Sequence, residues 1–135
     1  LRMERHSSNA EKVAEFLSKH EKVEWVKYGS LESDPYHALA KKYMPKGQGG
    51  MLSFGVKGGA EAATVVMEGL EMIAIVTHVA DVRSCVLHPA STTHRQLSKA
   101  DLESIGIADN LIRLSVGIEN VEDIIADLEG ALSQI

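Results

Sequence analysis

One heptapeptide constrains this chain more than any other: Leu111-Ile112-Arg113-Leu114-Ser115-Val116-Gly117. Its apolar residues alternate with a two-residue period. As a strand, it sends Leu111, Arg113 and Ser115 to one face and Ile112, Leu114 and Val116 to the other. The sheet it joins must therefore have one apolar face, and it sets a permanent cation on the opposite face. A guanidinium is a rigid fork of donors that matches a carboxylate or phosphate. By itself the heptapeptide leaves two options open. Arg113 is either an anion clamp or an edge-strand residue that meets water or a nearby Asp or Glu.

A chain of 135 residues is the size of one domain with a real core. Its net charge of -5 argues against nucleic acid or an anionic membrane as the main partner. A single cysteine, Cys85, excludes an internal disulfide and suits a reducing, cytoplasmic setting. Its neighbours Val86 and Leu87 point to a buried, inert thiol. No apolar run approaches the about 18 residues of a membrane span. Leu1-Arg2-Met3-Glu4-Arg5-His6 is charged and mixed, unlike a leader, and a chain that opens on Leu1 is expected to be a fragment.

Ser8 and Glu11 have capping-box spacing, which predicts a helix from there to about His20 along the stripe Ala10, Val13, Ala14, Leu17. Strands are predicted over 23–28, 51–56, 83–87 and 111–116, with 73–76 open between strand and loop. Helices are predicted over 37–43, from Gly58-Gly59 to about Glu71, from the Ser98/Asp101 start, and behind Asn120 along Val121, Ile124, Ile125, Leu128 and Leu132. Glu122 and Asp123 suit the first turn of that last helix, while Asp123 and Asp127 read as its solvated face. The alternation predicts an α/β fold of the α+β sandwich type, a small sheet covered by helices; strand direction does not follow from it.

His88-Pro89-Ala90-Ser91-Thr92-Thr93-His94 gathers small polar groups after a strand. Their hydroxyls either donate to an anion or satisfy the turn's own backbone. His88 and His94 lie outside common zinc spacing, and no cysteine pair or carboxylate cluster joins them, so no metal site is expected. No Gly-x-Ser-x-Gly elbow, phosphate loop or dinucleotide fingerprint is present.

The segments Arg83–Leu97 and Asn110–Glu119 resemble the Cys/Met-metabolism pyridoxal-phosphate enzymes. Ser33–Tyr43 with Met51–Gly55 is most like the O-acetylhomoserine sulfhydrylase branch. The likeness runs from Leu1 to Ile135 and covers the C-terminal domain of such an enzyme. It implies a single small domain, 1–135, with a mostly antiparallel sheet under helices, like the C-terminal domain of fold-type I pyridoxal-phosphate enzymes. It implies that Arg113 binds the α-carboxylate of an amino-acid substrate, and that Thr93 positions that arginine or the carboxylate. It also implies a third contact at His78, where sulfhydrylases usually have Asn and lyases Ser.

The pyridoxal phosphate of the full-length parent is held by a lysine in a Ser-x-Thr-Lys setting, which these residues lack. The resemblance therefore implies no catalytic, cofactor-binding or metal residue here, and an inactive chain without its partner, the large cofactor-binding domain. The parent is expected to be a homo-oligomeric transferase. A cystathionine synthase or a γ- or β-lyase parent remains an alternative, as does a free-standing binding or self-association module.

Overall fold

The computed structural model describes all 135 residues, Leu1–Ile135. In chain order the elements are α1 (Arg2–Lys19), β1 (Val23–Lys27), α2 (His37–Tyr43), β2 (Met51–Val56), α3 (Gly59–Glu68), β3 (Ala74–Ile75), β4 (Cys85–Leu87), α4 (Lys99–Ser104), β5 (Leu111–Ser115) and α5 (Val121–Leu132). A 3-10 turn at Pro89–Ser91 follows β4. The five strands form one sheet in the order β1-β2-β5-β4-β3. Every pairing is antiparallel except that of β3 with β4. The arginine strand β5 is therefore central, between β2 and β4, and not at an edge.

The period-2 pattern works as expected. Ile112 and Leu114 on β5 are fully buried, and their partners Phe54, Leu52 and Val86 join them on the inner face. Helices α1, α3 and α5 cover that face, with Val13, Leu17, Val66, Ile124 and Leu128 in the same apolar cluster. Each such side chain contributes about 1.5–3 kcal/mol by leaving water. The local signals that open helices also hold. Gly58 and Gly59 take φ of +103° and +72° ahead of α3, a conformation that suits residues without Cβ. The Asn120 side chain accepts from Glu122 N–H at 3.3 Å and caps α5.

Three expectations are corrected. Helix α1 starts at Arg2, so Ser8 lies inside it and its hydroxyl donates to Arg5 O at 3.1 Å. The first two turns escape an apolar-stripe search because their buried residues are His6 and Asn9, which are polar. His6 Nδ1 donates to Val116 O at 2.6 Å, and Asn9 Nδ2 donates to Gly117 O and Glu119 O at 3.0 and 2.9 Å. Helix α3 ends at Glu68, three residues before the expected Glu71. The reason corrects the third expectation: Asp127 is not merely solvated. Its carboxylate accepts from the N–H groups of Glu71, Met72 and Ile73 at 2.8, 3.2 and 2.9 Å, holding that segment out of the helix and leading it into β3.

Candidate functional site

Side chains on partnered strand positions share a face. Lys27, Ser53, Arg113 and Leu87 are partners in one row across β1, β2, β5 and β4, and Met51, Ser115 and Cys85 form the row beside it. This outer face carries no covering helix. Arg113 is half-buried in it, and its Nη2 donates to Thr77 O at 3.2 Å. No Asp or Glu lies within 4.0 Å of its guanidinium, whereas Arg83 pairs with Asp81 at 3.9 Å and Lys99 with Asp109 at 3.8 Å. Arg113 is therefore neither on an edge strand nor in a local ion pair. A guanidinium has five N–H donors. One is spent on Thr77 O, which fixes the plane and leaves the rest of the fork available to an anion.

The segment 77–84 borders this fork. His78 Nδ1 lies 3.1 Å from Asp81 Oδ2, and Asp81 Oδ1 accepts from Arg83 N–H at 3.0 Å. The Arg83 N–H and the His78 ring hold the Asp81 carboxyl below the usual carboxylate range. Ala80 takes φ +58°, the single positive value outside glycine, and its N–H donates to Ser115 Oγ at 3.2 Å. Cys85 donates its thiol to His78 O at 3.3 Å, and burial pushes that thiol up, in line with the inert role expected for it. Behind the loop, Glu119 accepts from Ser84 N–H at 2.5 Å and from Ser84 Oγ at 3.0 Å, while Gly117 N–H donates to Ser84 Oγ at 2.9 Å. A Cβ on Gly117 would collide with Val82 O and Ser84 N, so the close approach of the two segments requires glycine.

On the other side, the 3-10 turn packs against β5. Thr92 Oγ1 donates to His88 O at 2.7 Å, a local backbone role. Thr93 is exposed, with its Oγ1 2.8 Å from His94 Nδ1. The structure thus sets Arg113 between two loops, one carrying His78 and the other leading to Thr93. It forms no hydrogen bond from Arg113 to either side chain. The Thr77 carbonyl and the structural role of His88 are not legible in the sequence. A backbone carbonyl leaves no mark in sequence, and the spacing of His88 bears only on metal ligation.

These residues do not fit pyridoxal phosphate. Lys27 is the lysine in the row of Arg113, two strands away, and its Nζ lies 5.2 Å from the Trp25 ring centroid. Asp81, the acid nearest in sequence to the bordering loop, is engaged by His78 and Arg83. The donor set suits a carboxylate and supplies neither a covalent lysine nor a free acid for a ring nitrogen. No group of three or more His, Cys, Asp or Glu residues is arranged to hold a metal ion. No helix is long and apolar enough to cross a membrane.

The O-acetyl-L-homoserine sulfhydrylase of Leptospira meyeri is 50% identical over 136 residues, which take in 100% of this chain and 31% of that protein. The L-methionine gamma-lyase of Fusobacterium nucleatum subsp. polymorphum is also 50% identical, over 100% of this chain and 34% of that protein. The chain thus spans about a third of the length of these curated relatives. A crystal structure described as an O-acetylhomoserine (thiol)-lyase of Campylobacter jejuni superposes with a TM-score of 0.92 at 44% identity, over 98% of this chain and 31% of that one. That protein carries a pyridoxyl-lysine monophosphate. The family profile for Cys/Met metabolism PLP-dependent enzymes matches residues 1–133, and this chain belongs to that family.

Proposed function

We propose that residues 1–135 are the substrate-carboxylate-binding C-terminal domain of a PLP-dependent, O-acetylhomoserine sulfhydrylase-like enzyme. Such an enzyme replaces the γ-acetyl ester by sulfide or a thiol in methionine and cysteine biosynthesis. The observation that carries this reading is Arg113: central in the sheet, half-buried, oriented by Thr77 O and without an acidic partner. Two parallel N–H···O bonds from such a fork fix both the position and the plane of an α-carboxylate. That contribution is orientation, which brings the substrate's reacting carbons to the cofactor of the complete enzyme. When bound there, pyridoxal phosphate supplies the electron sink for elimination at the γ-carbon.

In this reading Thr93 supports the clamp from the turn. His78 contributes through its backbone N–H, which makes no hydrogen bond within the chain, while its ring stays with Asp81. The complete enzyme would be a cytoplasmic homo-oligomer in which the large domain faces the open side of this sheet. Titration of the 135-residue chain with O-acetylhomoserine, followed by NMR at the Arg113 side chain, tests the clamp. We expect a Kd on the order of 1 mM or weaker for this half-site, and loss of binding in Arg113→Ala. Equal binding by both chains would overturn it. The chain mixed with pyridoxal phosphate should show neither turnover nor the visible band of lysine-bound cofactor.

Equal identity to a sulfhydrylase and a γ-lyase favours a second reading of the reaction, γ-elimination on the same clamp. Assay of a complete enzyme carrying this domain, with O-acetylhomoserine plus sulfide against methionine alone, separates the two.

A further inference from the structure

His88 is 5% exposed, sits directly after the β4 residue that pairs with Arg113, and has partners for both ring nitrogens and for its carbonyl. Its Nε2 lies 2.7 Å from Asp109 O, four residues before Arg113 in sequence. A carbonyl only accepts, so Nε2 carries the proton. In the neutral ring Nδ1 is then an acceptor, and it takes the Ser91 hydroxyl at 2.8 Å. The His88 carbonyl accepts from Thr92 Oγ1 at 2.7 Å. One buried imidazole therefore joins the segment that leads into β5 to the hydroxyl-rich turn that leads to Thr93. Pro89 O completes the turn by accepting from Thr92 N–H and His94 N–H at 3.3 and 3.0 Å.

We infer that His88 is a positioning residue for the carboxylate site: an Nε2-protonated clip that fixes the Ser91–Thr93 turn against the strand of Arg113. This rests on the carboxylate-clamp reading of Arg113. The clip has two halves that conservative variants separate. A glutamine amide can replace the Nε2 donor to Asp109 O. An asparagine oxygen can replace the Nδ1 acceptor for Ser91, but its amide falls short of Asp109.

The test uses the whole chain. Long-range nitrogen NMR should show His88 as the Nε2–H tautomer. Amide exchange at Thr92 and His94 should accelerate about five- to tenfold, the equilibrium factor of about one buried hydrogen bond, both in His88→Asn, which loses the Asp109 half, and in His88→Gln, which loses the Ser91 half. O-acetylhomoserine affinity should weaken by a similar factor in both variants. An Nδ1–H tautomer would overturn the clip, as would unchanged exchange in a folded His88→Asn chain. If either variant fails to fold, Ser91→Ala reads the turn half alone, and unchanged exchange there also counts against the clip. Absence of ligand binding in the wild-type chain would sink the clamp reading while leaving the exchange and tautomer results to decide the clip.

Discussion

The inner and outer faces of the same sheet differ in what holds each side chain in place. On the inner face Ile112, Leu114, Phe54 and Val86 are held by apolar burial under α1, α3 and α5. On the outer face Arg113, Ser115 and the segment 77–84 are held by individual hydrogen bonds, two of them to carbonyls. The first kind of order is collective and stabilising. The second is directional: it orients single groups while contributing little to stability. One strand serves both because its two faces are independent positions of a period-2 repeat.

The comparison breaks most visibly on the inner side. Leu114→Ala should destabilise the chain by about 2–5 kcal/mol, through lost burial plus a cavity beneath three helices; urea unfolding measures it, and a loss below 1 kcal/mol would show that this face is loosely packed. Gly117→Ala should cost about 1–3 kcal/mol as an overpacked contact, because the new methyl meets backbone atoms of Val82 and Ser84 that have no rotamer to change. The same variant should loosen the 77–84 segment, visible as faster amide exchange at Ala80 and Arg83.

On the outer side the expected stability change is small and the functional change large. Arg113→Ala should move unfolding free energy by less than about 1 kcal/mol, since it forfeits one partly exposed hydrogen bond, yet abolish carboxylate binding. A large stability loss would mean that Arg113 is a structural residue after all. The smallest effect concerns Asp81. Its carboxyl is held below the ordinary value of 3.8, so its contribution is present above that value and is lost as pH falls through the lower folded-state value. Exchange at Arg83 N–H should therefore quicken only in acid, and Asp81→Asn should flatten that dependence.

Much of this was legible in the chain. The strand 51–56, the helix 37–43 and the Asn120-capped helix emerge where the sequence places them, because alternation, caps and glycines are local signals. The strand from Arg83 shrinks to Cys85–Leu87, since the Ser84 N–H and hydroxyl are drawn to Glu119 and only its carbonyl still pairs, with Ala74 N–H. The 73–76 segment becomes the two-residue parallel strand β3, too short for any period to show. The start of α1 carries no apolar signal because burial there is achieved by His6 and Asn9, whose partners lie about 110 residues away.

The site divides along the same line. Sequence alone determined that Arg113 shares a face with Ser115 and opposes an apolar one, because side-chain direction in a strand follows from position. The family likeness added a carboxylate as the object of that cation. Only the tertiary structure decided that β5 is central, that Thr77 O orients the fork, that no acid neutralises it, and that His88 ties the turn to its strand. Those are contacts between distant segments, and the energy that selects them exists only once the chain has closed on itself.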